Sequence, residues 1–299
     1  MNSLLSLSND LASAVEHAAR AIVTVNARPR LPSTGVHWRP GIVVTADHTV
    51  RTDEEVTITR PDGRTAPAAL AGRDPGTDLA VLRITDADLP LADVADPAAL
   101  KVGQMVLALG YGPRASWGVV SALGGRWRTW RGGEIDQLVR LDLTLYPGFS
   151  GGPLIDVAGR VVGISTSGLS RQHELAIPAS TVTRVAAELC ESGRVSRGFL
   201  GVGLHAVRLP EAARRSTTGG SEIGLIVVSL EPDGPAARAG LLLGDVLVAI
   251  DGQPVTGADD LQATVASRRA GSALAATVLR GGTPVDIAIT LGERPSRRR

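Results

Sequence analysis

The chain has almost no cysteine, no excess of charge of either sign and no long apolar run. Its 299 residues include one cysteine, Cys190, so no disulfide can form within the chain. Lysine and arginine together number 31, and aspartate and glutamate 30, which leaves a formal net charge of +1 and no general attraction to nucleic acid. No apolar run approaches the length of about 20 residues that crosses a bilayer. These absences argue against a disulfide scaffold, a nucleic-acid-binding protein and a transmembrane segment.

Motifs for cofactors and metals are also missing. The sequence contains no P-loop, no HExxH and no paired Cys/His spacing. Residues 201–206 fit the glycine fingerprint of dinucleotide sites, but no βαβ unit and no downstream acidic partner accompany them. We therefore predict neither a cofactor nor a metal site.

The first 20 residues lack the features of an export signal. Asp10, Glu16, His17 and Arg20 interrupt the apolar residues, and no cationic segment precedes them. Apolar residues recur at helical spacing, which predicts an amphipathic N-terminal helix over residues 1–20. As written, the sequence predicts a cytoplasmic protein. A periplasmic or other extracytoplasmic location would require a leader ahead of these residues.

Strand-like runs separated by turns fill residues 21–190 and predict a mainly β domain, and the chain length suits about two domains. The first group of predicted strands is 21–25, 42–46, 56–59 and 79–84. The second group is 105–109, 119–123, 138–143, 161–165 and 174–177. A helix over residues 182–190 closes the domain, residues 191–198 are a linker, and residues 294–299 are a short basic tail.

Ser150 lies in the most informative stretch of the chain, residues 146–154, where glycines flank it on both sides. Gly148 allows a turn in which its own N–H and that of Ser150 point toward one oxyanion. The run also fits the G-x-S-x-G elbow of α/β-hydrolases, in which the acid and the histidine follow the serine. A chymotrypsin-like triad instead has the order His, Asp, Ser.

Both missing members lie upstream of Ser150. His48 follows a β-branched run, and Asp78 stands at the start of an apolar strand. Asp47 and Asp53 are rival acids near His48, but Asp47 adjoins it on an extended strand and would point elsewhere. Helical periodicity is almost absent between residues 21 and 178, which also argues against the α/β-hydrolase alternative. We therefore predict a His48–Asp78–Ser150 triad.

With these three segments in this order, the chain resembles trypsin-like serine proteases of the HtrA/Deg family. The resemblance implies a chymotrypsin-like double β-barrel and a bacterial serine endopeptidase that cleaves unfolded or misfolded proteins in quality control and stress response. His48 would act as general base, Asp78 would orient it, and Ser150 would attack. The N–H groups of Gly148 and Ser150 would bind the oxyanion. Family members form trimers held by N-terminal aromatic residues, which residues 1–20 lack, so a homo-oligomer is left open.

Residues 199–293 resemble one PDZ domain, a small α+β fold. Residues 235–241 and 244–252 fit the family pattern of a short helix, a strand and a turn. The resemblance implies that peptide C-termini bind to the glycine-containing turn and, through their terminal side chain, to a helix over residues 259–269. The residues implied at this site are Phe199, Leu200, Gly201, Val202, Leu261 and Val265.

The resemblance also implies where substrate specificity is set. Thr144, six residues before Ser150, would lie at the base of the primary pocket, where a carboxylate would select Lys or Arg. Thr144, Leu145, Ile164, Ser165 and Thr166 therefore predict a small neutral pocket for Val, Ala or Leu. The loop over residues 126–131 corresponds in position to the family's regulatory loop.

A second class of function remains open at this point. The chain could be mainly a peptide-binding chaperone or scaffold whose protease domain is held inactive. The sequence supplies the triad but does not show whether the oxyanion loop is formed.

Overall fold

The computed structural model describes residues 3–52, 55–85, 88–112, 114–215, 222–266 and 268–293. The rival acid Asp53 and the basic tail 294–299 lie outside the described residues. The chain divides into two compact units, Met1–Val195 and Ser196–Arg299.

The first unit begins with a helix and a seven-stranded antiparallel sheet, ordered β5-β4-β1-β2-β3-β7-β6. Strand β3 lies inside this sheet, and its β-branched residues are buried on both faces. The elements are α1 (Ser3–Ala19), β1 (Ile22–Asn26), β2 (Ser33–Arg39), β3 (Ile42–Ala46), β4 (Thr57–Thr59), β5 (Thr65–Pro67), β6 (Ala69–Asp74) and β7 (Leu79–Arg83).

The remaining strands of this unit form a closed six-stranded barrel, ordered β12-β15-β14-β13-β8-β9, and a separate two-stranded hairpin, β10-β11. The mainly β fold that the sequence predicts is confirmed: of the two predicted barrels, the second is closed, and the strands of the first pair as a seven-stranded sheet. The elements are β8 (Met105–Gly110), β9 (Arg114–Gly124), β10 (Trp127–Arg128), β11 (Glu134–Ile135), β12 (Leu138–Asp142), β13 (Pro153–Ile155), β14 (Val161–Thr166) and β15 (Glu174–Pro178).

Helices cover two sides of this unit. On α1, Ala14 and Ala18 are buried, whereas Leu4 and Leu5 are 73% and 60% exposed. The second helix, α2 (Ala179–Ser192), packs its apolar stripe into the core. It extends two residues into the predicted linker, because the helix ends only at Gly193. That glycine has φ 73° and donates its N–H to the Leu189 carbonyl at 3.0 Å, a left-handed cap that glycine adopts without strain.

The second unit is a small α+β domain. Its main sheet runs β17-β18-β19-β21-β22, β20 pairs with β19, and β16 pairs with β23. The elements are β16 (Gly198–Phe199), β17 (Val202–Arg208), α3 (Glu211–Arg215), β18 (Ile223–Leu230), α4 (Pro235–Arg238), β19 (Val246–Ile250), β20 (Gln253–Pro254), α5 (Ala258–Ala266), β21 (Ala273–Arg280), β22 (Thr283–Thr290) and β23 (Gly292–Glu293). Strand β17 is an edge strand, so one row of its backbone groups faces away from the sheet.

Candidate active site

His48 and Asp78 are brought together by two paired strands. Strand β3 ends at Ala46, which lies opposite Leu79 at the start of the antiparallel strand β7. His48 follows in a single 3-10 turn, Asp47–Thr49, and Asp78 immediately precedes β7. The Asp47 N–H donates to the Asp78 carbonyl at 3.0 Å and fixes the two segments side by side.

The Asp78 carboxylate orients the imidazole. His48 Nδ1 lies 2.8 Å from Asp78 Oδ2 and 3.0 Å from Oδ1, and the His48 backbone N–H donates to Oδ1 at 2.9 Å. Because an ionised carboxylate only accepts hydrogen bonds, Nδ1 carries the proton and Nε2 keeps its lone pair. The Thr166 hydroxyl also donates to Asp78 Oδ2, and Asp78 is 1% exposed. This arrangement leaves Nε2 as a general base.

Gly168 packs against the His48–Asp78 pair. A Cβ at this position would lie 2.4 Å from Asp78 Oδ2 and 2.7 Å from His48 Nδ1. Any side chain here would push the two groups apart, which explains the glycine.

The Ser150 hydroxyl forms its hydrogen bonds with Ser167. Its Oγ is 3.1 Å from Ser167 Oγ, and the Ser167 N–H donates to it at 3.4 Å. Among the hydrogen bonds of the described residues, Ser150 pairs with Ser167 rather than with the His48 imidazole. Catalytic hydrogen bonds are often absent or long before substrate binds.

Contacts of Arg114 orient the peptide between Pro147 and Gly148 in the loop before Ser150. Arg114 donates to the Pro147 carbonyl at 3.4 Å, and its guanidinium lies 4.1 Å from the centroid of the Tyr111 ring. Since C=O and N–H point in opposite directions across a trans peptide, the Gly148 N–H points away from Arg114. Gly148 has φ 94°, and a Cβ there would lie 2.4 Å from the Tyr111 ring, so both backbone and space require glycine.

Thr34, on strand β2, anchors this loop from the first sheet. Its hydroxyl donates to the Gly148 carbonyl at 2.6 Å and accepts the Tyr111 N–H at 2.9 Å. Thr34 is fully buried, and its backbone N–H donates to the Ser150 carbonyl at 3.4 Å. The loop is therefore tied to the sheet that carries His48 and Asp78.

Phe149, between the two predicted oxyanion donors, points into the barrel. It is 1% exposed, packs in the apolar barrel core and makes an edge contact with Tyr146, with ring centroids 5.6 Å apart. The Phe149 side chain therefore packs into the barrel core beneath the loop.

Asp47, the rival acid beside His48, has another partner. Its carboxylate accepts a hydrogen bond from Arg73 Nε at 2.6 Å. Burial raises the pKa of Asp47 above its usual value, while the Arg73 interaction acts in the opposite direction. The structure therefore places Asp47 in an ion pair and Asp78 on the imidazole.

The five residues predicted for the specificity pocket do not share one face. Thr144 is exposed and Leu145 is half-buried. On β14, Ile164 packs in the core on the side of α2, and the Thr166 hydroxyl serves Asp78. Strand alternation turns Ser165 to the opposite face, toward the barrel interior. The neutral-pocket prediction therefore needs revision for Ile164 and Thr166, because alternation aims both side chains away from the barrel.

The predicted regulatory loop contacts the turn that leads to Asp78. It forms the hairpin β10-β11, and the buried Thr129 hydroxyl donates to the Gly76 carbonyl at 2.7 Å. Gly133 also packs against Gly76, so closely that a Cβ at Gly133 would lie 2.1 Å from the Gly76 backbone. The Gly133 N–H donates to Thr129 Oγ1 at 3.0 Å. This hairpin therefore contacts the turn at Gly76, two residues before Asp78, through a hydrogen bond and close backbone packing.

In the second unit, the predicted peptide-binding residues lie on the segment of β16 and β17 and on α5. Gly201 has φ 74° and accepts the Glu231 N–H at 2.8 Å, which shapes the turn before the edge strand β17. Leu200, Leu261 and Val265 are 7%, 4% and 6% exposed and pack in the apolar core of this unit. Phe199 pairs with Gly292, and Val202 begins β17. The helix residues Leu261 and Val265 therefore lie in the core of this unit, on a helix that packs near β16 and β17.

Two features are absent from the described residues. None of their helices is long and apolar enough to cross a membrane. No group of three or more His, Cys, Asp or Glu residues among them could hold a metal ion.

Several of these residues carry no sequence signal. Thr34, Arg114 and Ser167 act through contacts between distant segments, and neither motif nor spacing singles them out. Gly168 could have been found, since it stands two residues beyond the predicted pocket strand.

Comparison with known proteins matches both units. A family model for the trypsin-like peptidase domain matches residues 33–164, and one for the PDZ domain matches residues 198–291. A probable periplasmic serine endoprotease, DegP-like, from Pseudomonas putida (strain W619) is 34% identical over 264 residues, which cover 85% of this chain and 54% of that protein. Its counterpart from Brucella suis biovar 1 (strain 1330) is 38% identical over 267 residues, covering 86% of this chain and 51% of that protein.

The chain therefore spans about half the length of these curated relatives. Among solved structures, the HtrA-type protease AlgW with a decapeptide aligns with a TM-score of 0.74 at 30% identity, over 95% of this chain and 99% of that one.

Proposed function

Because the chain belongs to the HtrA/Deg family of trypsin-like serine proteases, we propose that it is a serine endopeptidase with a regulatory PDZ domain. The observation that carries this proposal is the buried Asp78 carboxylate on His48 Nδ1, with Ser150 and a glycine-shaped oxyanion loop beside it. The relatives named as serine endoproteases support the same chemistry.

The reaction would proceed through an acyl-enzyme. Ser150 leaves its partner Ser167, transfers its proton to His48 Nε2 and attacks the scissile carbonyl. Asp78 stabilises the imidazolium that forms, and the backbone N–H groups of Gly148 and Ser150 bind the oxyanion. His48 then gives the proton to the leaving amine, and water releases the acyl group by the same route in reverse.

Unfolded or misfolded polypeptides are the proposed substrates, in bacterial protein quality control and stress response. A peptide bond reaches Ser150 only in an extended segment, which a folded protein seldom offers. The relatives are described as periplasmic, and this supports a periplasmic location rather than the cytoplasmic one that the N-terminal sequence predicts. Self-association, with a trimer as the form implied by the family, is part of the proposal; the exposed Leu4 and Leu5 offer apolar surface for it.

The PDZ unit would bind peptide C-termini. The terminal carboxylate would dock on backbone N–H groups of the 199–202 turn, and the peptide would add a strand to the edge of β17. The terminal apolar side chain would sit above Leu261 and Val265. Binding would regulate cleavage by favouring a formed oxyanion loop, with the 126–131 loop as the coupling element.

One observation favours a second candidate. The Ser150 hydroxyl pairs with Ser167 instead of His48, as in a protease domain held inactive on a peptide-binding chaperone or scaffold. The two functions differ in whether the protein cleaves its peptide substrate: an endopeptidase does so repeatedly, and an inactive chaperone or scaffold only binds it.

Cleavage of unfolded casein tests the proposal. Ser150→Ala should reduce cleavage to background while the thermal unfolding midpoint stays within a few degrees of the wild type. Ser180→Ala, an exposed serine on α2, is the matched control and should keep full activity. Equal cleavage by Ser150→Ala would refute the endopeptidase assignment, and an inactive wild type that suppresses casein aggregation would favour the chaperone.

A further inference from the structure

One end of the second barrel carries a carboxylate on its inner face. Glu174 begins β15 and lies opposite Leu141 on β12. Side chains alternate along a strand, so Glu174 shares a face with Ala176 and not with Leu175. Leu141 and Ala176 pack in the apolar cluster inside the barrel, whereas Leu175 packs in a different cluster. The Glu174 carboxyl group therefore lies at the rim of an otherwise apolar interior.

This carboxylate contacts the segment that leads to the nucleophile. The backbone N–H of Leu145, five residues before Ser150, lies close enough to this carboxylate to lower its pKa. Leu145 itself packs against the same barrel cluster as Phe149. Partial burial raises the pKa of Glu174, and the Leu145 N–H opposes this rise. No cationic side chain of the described residues contributes to its electrostatics.

A buried hydroxyl lies on the same face. Ser165 is opposite Ala176 in the register of β14 and β15, so its side chain points to the barrel interior, as that of Glu174 does. Ser165 is fully buried, and its Oγ has no hydrogen-bond partner among the described residues. Buried polar groups nearly always have a partner, so this hydroxyl can accept a hydrogen bond from a polar group of a ligand inside the barrel.

We propose that Glu174 and Ser165 make the primary specificity pocket acidic and polar, so that arginine or lysine occupies it. A guanidinium or ammonium group entering beside Leu145 would pair with the Glu174 carboxylate, and the Ser165 oxygen would accept one of its N–H bonds. The cleavage preference that follows rests on the proposed endopeptidase function. It is opposite to the preference for Val, Ala or Leu that the sequence predicts, because the carboxylate comes from β15 and not from the position of Thr144 at the base of the pocket.

Calorimetric titration with benzamidine tests the pocket without requiring catalysis. Benzamidine carries an amidinium and no carboxylate, so it is no ligand for the proposed PDZ groove. The wild type should bind it, and Glu174→Gln should weaken binding at least about tenfold, because the isosteric amide removes only the charge. Glu191→Gln, at an exposed position on α2, is the matched control and should bind as the wild type does. Equal affinity of wild type and Glu174→Gln, or no binding by a folded wild type, would overturn the proposal.

Mapping the cut sites in unfolded casein by mass spectrometry gives the second readout. We expect most cuts to follow Arg or Lys in the wild type and this preference to be lost in Glu174→Gln. A majority of cuts after Val, Ala or Leu in the wild type would overturn the acidic pocket and leave the endopeptidase function intact. If benzamidine binding depends on Glu174 but the protein cleaves no substrate, the acidic pocket is supported and the endopeptidase function is refuted.

Discussion

Removing the Thr34 hydroxyl should lower kcat strongly without unfolding the protein. Thr34→Val keeps the shape of the side chain but leaves the Gly148 carbonyl without its donor at 2.6 Å and the Tyr111 N–H without its acceptor at 2.9 Å. Gly148 is buried and Tyr111 is half-buried, so water can replace the partner only at Tyr111. An unpaired buried polar group costs about 1–3 kcal/mol, and one such group is expected here.

Rotation of the Gly148 carbonyl toward solvent would relieve that cost. It turns the peptide between Gly148 and Phe149, which links the two proposed oxyanion donors, and so displaces those donors from each other. Loss of one oxyanion donor lowers kcat by about 10²–10³. We therefore expect kcat to fall about a hundredfold in Thr34→Val while KM changes little, since the donor acts mainly in the transition state.

The assay is steady-state cleavage of a fluorogenic peptide together with thermal unfolding of each variant. Thr34→Ser, which keeps the hydroxyl, should retain most of the activity. Thr183→Val is the control for a lost hydroxyl elsewhere, because Thr183 accepts the Trp38 indole N–H at 3.2 Å far along the chain from the loop. A folded Thr34→Val protein with the kcat of the wild type would refute the role of this hydrogen bond.

Three further predictions follow from other contacts. Thr129→Val removes the donor to the Gly76 carbonyl at 2.7 Å and should lower kcat through the Asp78 segment, with Thr129→Ser restoring it; unchanged kinetics in both would show that the hairpin does not position the acid. Peptides that end in a free carboxylate should bind the PDZ unit at about micromolar affinity, and the amidated forms far more weakly, in calorimetric titrations; equal binding would exclude carboxylate docking. Arg280 holds the pKa of Asp245 below its ordinary 3.8, so this pair adds stability that is complete above pH 3.8 and is lost as the pH falls through the lowered value. Arg280→Gln should therefore remove stability of the second unit at neutral pH and flatten its acid dependence in urea titrations, and a variant with the acid dependence of the wild type would contradict this.

The order of His48, Asp78 and Ser150 along the chain was the basis for predicting the candidate site. Ser150 was recognisable because an oxyanion turn needs glycine at the position of Gly148, and that requirement is local in sequence. His48 and Asp78 stand at strand ends, where alternation and β-branched composition are also local signals. The double β-barrel and the PDZ domain were predicted from the resemblance of these segments, and of residues 235–252, to a known family, and the comparisons confirm both.

The supporting contacts could not be predicted, because they are made between distant segments. Thr34 contacts Gly148 across 114 residues, and Thr166 contacts Asp78 across 88. Strand β2 (Ser33–Arg39), which carries Thr34, was missed because Ser, Thr, Gly and Arg give it no apolar alternation, although six of its seven residues are buried. The revision of the pocket has the same origin, since only the register of β14 and β15 shows that Ser165 and Glu174 share a face.

Labelling with a fluorophosphonate tests the central claim most directly. The reagent reacts with a serine that a neighbouring base activates. An oxyanion hole promotes the reaction by binding the phosphonyl oxygen of the reagent. We predict a single adduct on Ser150 by peptide mass spectrometry, its loss in Ser150→Ala, and faster labelling when a carboxylate-ending peptide occupies the PDZ unit. A folded wild-type protein that acquires no adduct on Ser150, with or without the peptide, would contradict the account.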